Sequence, residues 1–159
     1  MAMSRRAPYI RAMLETLRSL FGGKEKPAAP DPEAETRLAA AALLVKAAQS
    51  DDDYDASEQA TIDAALSRMF ALSAEDARAL REKGEAAAAD ALDLFGFTHA
   101  VKEGVPFEER AAFMTEIWRV VLADGRRDAD ENALMRKLAG LLYVSDVESG
   151  LARQRAEQD

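Results

Sequence analysis

The chain has 159 residues, is 48% hydrophobic, carries a formal net charge of −8 and contains no cysteine. That length suits one compact domain with a sizeable core, and the missing thiol excludes disulfides, thiolate zinc sites and cysteine catalysis. A single histidine, His99, excludes a histidine-rich metal site, and the acidic balance disfavours nucleic acid, whose phosphates need a basic surface.

The charge is unevenly spread. Residues 1 to 26 carry six basic against two acidic side chains, and the remainder carries 15 basic against 27 acidic. From Pro8 to about Phe21, Ile10, Leu14, Leu17 and Phe21 recur at helical spacing with the arginines off that stripe. The expectation over 1–21 is a short basic amphipathic helix, either an anchor for a membrane surface or a partner, or a terminal helix docked on the acidic body. Residues 22–32 combine glycine, proline and charge with little to bury, the composition of a flexible linker. No apolar run approaches the roughly 20 residues needed to cross a bilayer, and no signal peptide is visible. The expected location is the cytoplasm, peripheral at the inner membrane surface if residues 1–26 make a weak lipid contact.

Asp31-Pro32 suits a helix start, with aspartate as N-cap and proline in the first turn. An alanine-rich helix then runs from Glu33 to about Gln49 with Leu38, Ala41, Val45 and Ala48 on one stripe. A second runs from Ala56 to about Ala71 and buries Ile62, Leu66, Met69 and Phe70. Ser73 opens a third, which has a weak point at Gly84 and a packing surface in the alanines 86–89. Leu92, Leu94, Phe95, Phe97 and Val101 mark a further helical segment that stops at Gly104-Val105-Pro106. Glu108 to Ala123 carries Phe113, Ile117, Val120 and Val121 on one face. Ala129 to Leu142 carries Met135, Leu138 and Leu142, and Ser145 starts a last helix toward Arg155. No two-residue alternation of β-branched residues is present. The predicted fold is all-α: a helical bundle of about seven helices in two related helix-loop-helix halves over residues 33–156, plus the N-terminal helix.

Two acidic stretches stand between helices. Residues 51 to 58 and 124 to 131 align without a gap, matching Asp51 to Asp124, Asp55 to Asp128 and Glu58 to Glu131. Asp55-x-x-Glu58 and Asp128-x-x-Glu131 have capping-box spacing, as does Ser145-x-x-Glu148, with Ser73-x-x-Asp76 a weaker version. Capping leaves Asp51 and Asp124 unexplained, because negative charge at a helix C-terminus opposes the helix dipole. A hard cation is the simplest use for them, since oxygen-only ligation selects calcium, magnesium or manganese over zinc or copper, and no organic cofactor is expected. Asp51-x-Asp53-x-Asp55 partly resembles an EF-hand. It fails that pattern at Ala56, where glycine is needed, and at Ile62, where the bidentate glutamate belongs. Gly125 suits a chain reversal, and Arg126-Arg127 would oppose a cation unless turned outward.

Ala123-Asp124-Gly125 with Glu131, reached from Glu109-Arg110 through Ile117-Trp118 and left through Leu138-Ala139-Gly140-Leu141-Leu142, resembles the TerB family of tellurite-resistance proteins. The wider group includes the TerB-like domain of a membrane-anchored J-domain co-chaperone. The resemblance covers about residues 36–150 and implies an all-helical bundle of two halves whose acidic loops bind metal, chiefly calcium. Carried over residue by residue, that role falls on Asp51, Asp55 and Glu58 and on Asp124, Asp128 and Glu131. The chain departs from the pattern at Asp52, which replaces a glycine, and at Asn132, where an acid is expected.

Other residues carry less. His99 reads as a partly buried helix residue, and Trp118 as core or groove lining. No phosphate loop, dinucleotide fingerprint or serine with a base is present, so no catalytic residue is assigned and no enzyme is expected. Two binding functions remain. One is a cation-binding TerB-like module in metal or tellurite stress. The other is a metal-independent protein adaptor recruited to a membrane or complex by its N-terminal helix, with an unidentified protein partner and an undetermined oligomeric state.

Overall fold

Asp31 and Pro32 start the first helix as their chemistry requires. The Asp31 carboxylate accepts from the Glu33 amide at 3.1 Å, and Pro32 sits in the first turn, where its missing N–H has no partner to lose. In the computed structural model the described residues are 31–51, 54–123 and 129–158, with backbone alone for 51 and 129–131. The expected N-terminal helix and most of the linker lie outside them. Along the described chain run α1 (Pro32–Ala48), a 3-10 turn (Gln49–Asp51), α2 (Ala56–Phe70), α3 (Ala74–Asp90), α4 (Phe95–Gly104), α5 (Phe107–Leu122), α6 (Ala129–Leu141) and α7 (Asp146–Gln158). No strand occurs among the described residues, and the all-α bundle expected from periodicity is the fold observed.

The core is built around α1, which touches α2, α3, α4, α5 and α6. A single apolar stripe was expected there; instead every residue from Ala39 to Val45 is buried, while Leu38 is only half-buried. A helix enclosed on all sides needs no polar face. Its alanines let neighbours approach closely. Gly84 of α3 lies where a Cβ would stand 2.8 Å from the Ala41 Cβ and 2.9 Å from the Ala41 carbonyl carbon. The expected weak point is therefore a contact that only glycine permits.

Two expectations along α3 and α4 are corrected. The buried face of α3 is Ala77, Arg81, Gly84 and Ala88, so of the alanines 86–89 only Ala88 is fully enclosed. The segment after it begins its helix at Phe95 rather than near Leu92, because the Asp93 carboxylate accepts from the Phe95 amide at 2.9 Å and sets the first turn there. Leu92 and Phe95 are consequently exposed, and Leu94, Thr98 and Val101 face the core.

In the second half α5 packs on α7, and the Trp118 indole donates from Nε1 to Ser149 Oγ at 3.2 Å under the guanidinium of Arg153. Helix α6 ends in paired bonds from Val144 N to Ala139 O and from Tyr143 N to Gly140 O, with Tyr143 in the left-handed region at φ 59°. Ser145 and Glu148 then form a complete capping box, each side chain accepting from the other's amide at 3.1 Å.

Candidate cation site at the acidic loops

The first loop leaves α1 through the 3-10 turn, where Ser50 Oγ donates to Ala47 O at 2.8 Å and Asp51 is the last residue. Asp51 thus follows the C-terminal end of a helix, an electrostatically unfavourable position for an acid. Asp55 is the N-cap of α2: its backbone is extended and its Oδ1 accepts from the Glu58 amide at 3.0 Å, in an exposed setting for the carboxylate itself. The cap uses one oxygen and leaves Oδ2 outside it. Glu58, in the first turn of α2, is only 4% exposed, unlike the capping-box Glu148 at the equivalent position of α7. Ile62 is wholly buried in the core, so the EF-hand's last ligand position is filled by a packing residue.

Tyr54, which periodicity did not single out, fixes the end of this loop. Its hydroxyl is buried near Arg81 and Glu85 with no hydrogen bond of good geometry to it. Burial first, then the Glu85 charge, pushes the Tyr54 phenol up to about 12 against the opposing influence of Arg81. Arg81 itself is held by Asp63 of α2 at 2.6 Å and by Glu85 one turn along α3. Burial alone would lower the Arg81 pKa, but the hydrogen bond and charge of Asp63 outweigh it and raise it above the ordinary arginine value. The residue just before Asp55 is therefore seated on a buried ionic cluster that joins α2 to α3.

Asp124 and Asp128 lie outside the described residues, as do Asp52, Asp53, Arg126 and Arg127, and Glu131 is described only as backbone of α6. Of the six candidate ligands, then, only the Asp55 and Glu58 side chains are placed. Among the described residues no three acidic or histidine side chains lie close enough together to hold a metal. The supporting elements are nonetheless neighbours. The 3-10 turn that ends at Asp51 packs against α6, the helix that follows the second loop, and the helices leading into the two loops, α1 and α5, pack together.

A second ionic cluster joins α2 to α5. Glu116, nearly buried, accepts from Arg68 Nε at 3.3 Å and from Arg68 Nη2 at 2.8 Å, and Arg119 Nη1 donates to the same carboxylate. Neither cluster announces itself through helical periodicity, although Arg81 does fall on the stripe Ala77, Arg81, Gly84, Ala88.

His99 departs from expectation. Its side chain is 59% exposed, stacked on Phe95 and 3.6 Å from Glu103, rather than partly buried. The short α4 buries Thr98 and Val101 and packs Phe97 and Ala100 partly against the core, which leaves His99 on its outer face. Trp118 is 7% exposed and belongs to the core, as expected.

The sequence pattern of the tellurite resistance protein TerB matches residues 37–154, a span that runs from the first turns of α1 into α7 and includes both acidic loops. The chain belongs to the TerB family. No curated protein and no solved structure matches it. In this TerB domain no described helix is long and apolar enough to cross a membrane.

Proposed function

We propose that the chain is a non-enzymatic TerB-like module that binds a hard divalent cation, calcium in preference to others, between its two acidic loops. Asp51, Asp55 and Glu58 would supply oxygens from one side and Asp124, Asp128 and Glu131 from the other. The observation that carries this reading is the contact of the 3-10 turn with α6, which brings the flank of one loop to the helix that leaves the other. Three carboxylates fall short of the six to eight oxygens calcium takes, so two neighbouring loops are the economical donor set. The donors present fit such an ion chemically, being oxygen alone, and a bound cation would offset the charge that Asp51 places beyond the end of α1. Its role would be to order the loops in metal or tellurite stress and so alter a partner surface.

The test is a calcium titration followed by thermal melting and calorimetry. Calcium at about 100 times its Kd is expected to stabilise the fold by about 2.7 kcal/mol, and Asp51→Asn and Asp124→Asn are each expected to remove that gain. A melting temperature indifferent to millimolar calcium, with both variants more stable than the parent, would reduce the acids to unfavourable helix-end charges.

A second reading, the protein adaptor, is favoured by Phe95 and Tyr143, which expose 61% and 66% of their surface. Tyr143 also holds a left-handed backbone that a non-glycine residue adopts at a cost of about 1–2 kcal/mol. The adaptor would reach a membrane or complex through residues 1–26. Recovery of a protein partner should fall with Phe95→Ser and Tyr143→Gly, and liposome flotation should fall on deletion of residues 1–26. Equal recovery in each comparison dismisses the corresponding contact.

A further inference from the structure

One guanidinium holds the ends of two helices together. Arg110 of α5 donates from Nη2 to Lys102 O at 3.0 Å, from Nε to Val105 O at 3.3 Å and from Nη1 to Leu142 O at 3.4 Å, and it lies over the Phe107 ring. The last turn of α4 and the residue that follows α6 are thereby fixed side by side, and a cation suits both negative helix ends. The charge of Arg110 is absorbed there. Lys102 and Tyr143 meet as a result: the Lys102 Nζ stands 4.4 Å from the centre of the Tyr143 ring. Among the described residues Lys102 is paired with no carboxylate and donates to no carbonyl. An ammonium has three donors, and the face of one exposed ring satisfies it only weakly.

Tyr143 stands just past α6, at the position where glycine is the usual residue, and its ring is exposed. A left-handed backbone and an exposed aromatic ring on one residue both count against the fold, which points to a use outside it. His99 and Phe95, three and seven residues before Lys102, lie on the same face of α4, and the exposed Phe95 ring stacks on His99. That face runs about 10 Å from Phe95 to Lys102, the length of about three extended residues. Acids border it. Asp93 caps the Phe95 amide, and Glu103 faces His99. A broad anionic surface, whether membrane or nucleic acid, would meet those acids together with Lys102, whereas a narrow segment passes between them.

We propose that the surface formed by Phe95, Lys102 and Tyr143 docks an acidic, aliphatic segment of a partner protein, with a carboxylate on the Lys102 ammonium and apolar side chains lying between the two rings. The proposal rests on the adaptor reading and gives its partner a chemistry. The test is selection of a random peptide library, displayed on phage, against the full chain. Enriched peptides are expected to combine aspartate or glutamate with leucine, isoleucine or valine. In calorimetry with the most enriched peptide, Lys102→Gln is expected to weaken binding about tenfold, the scale of one charge-assisted bond, and Lys102→Arg to keep most of it. Lys102 makes no hydrogen bond through its side chain within the described fold, so Lys102→Gln should fold as the parent does. Phe95→Ser and Tyr143→Gly should each weaken the peptide several-fold by removing apolar contact. Tyr143→Gly also relieves the left-handed backbone, so its melting temperature should not fall, and weaker binding by an equally stable variant separates docking from folding. Enriched peptides free of acids, no enrichment, or binding that Lys102→Gln leaves unchanged overturns the proposal. So does flotation on vesicles of phosphatidylserine and phosphatidylcholine that depends on Lys102, which assigns the surface to lipid. Where recovery of a protein partner still depends on Phe95 and Tyr143 in any of those cases, the adaptor reading stands and the acidic chemistry alone falls.

Discussion

Among the described residues, the two ionic clusters that flank α2 are built around opposite charges. Toward α3, one arginine, Arg81, is shared by two carboxylates, Asp63 and Glu85. Toward α5, one carboxylate, Glu116, is shared by two arginines, Arg68 and Arg119. The first is closed: the Arg81 side chain is 8% exposed, and the Tyr54 hydroxyl is enclosed beside it. The second is open: Arg68 is 48% exposed and both arginines line a cleft. The same kind of pairing thus serves different ends according to which partner is buried. A buried arginine between acids ties helices together, and a buried acid behind arginines presents them outward.

That contrast predicts unequal losses, the largest at Arg81. Arg81→Ala leaves Asp63, Glu85 and the Tyr54 hydroxyl without their shared cation, and breaking a buried pair costs about 3 kcal/mol or more. Glu116→Gln should cost about 1 kcal/mol, because Arg68 and Arg119 line an open cleft where water can replace the weakened bonds. Denaturant melts of both variants check the order, and a larger loss at Glu116 breaks the comparison.

The difference between these clusters and the helix ends also explains what could be read from the letters. Asp31-Pro32, Asp55, Ser73 and Ser145 act on amides two or three residues away, so their capping bonds are legible locally and are all observed. Asp63 and Arg81 are 18 residues apart and Arg68 and Glu116 are 48 apart, so no local pattern joins them. A buried arginine leaves one trace, its place on an otherwise small-residue stripe of α3. The enclosure of α1 was hidden for a related reason: a helix of alanines has no polar face whose absence would stand out. The repeated spacing of the acids is a signal of chain position, whereas convergence in space is a property of the bundle.

A smaller effect sharpens the closed side of the comparison through pH. The Tyr54 phenol is raised from 10.0 to about 12, chiefly by burial, so the folded state favours its protonated form. The corresponding stability is complete below the unfolded value and is lost as pH rises from about 10 through 12. Tyr54→Phe should flatten that part of the stability curve. In tyrosinate absorbance, one of the chain's three tyrosines should titrate near the upper end of that interval. Ordinary titration of all three removes Tyr54 from the enclosed cluster.

The smallest effect is a gain that should leave both clusters intact. Helix α2, which carries Asp63 and Arg68, ends at Ala71 in the left-handed region at φ 53°. Ala71→Gly relieves the Cβ conflict and should add about 0.5 kcal/mol after the entropy of the freer unfolded chain is subtracted. The gain should be additive with Arg81→Ala and with Glu116→Gln in denaturant melts. Strong non-additivity would mean that the end of α2, and not its flanks, sets the two clusters.

Enclosure of α1 by five neighbours has a kinetic corollary. No single helix can peel away and bare the amides of Ala40 to Val45, so their hydrogens can be traded with solvent only when the entire bundle opens. Deuterium uptake in that hexapeptide is therefore a clock for whole-domain unfolding, against which local opening at the cleft or around Asp55 can be timed in the same sample.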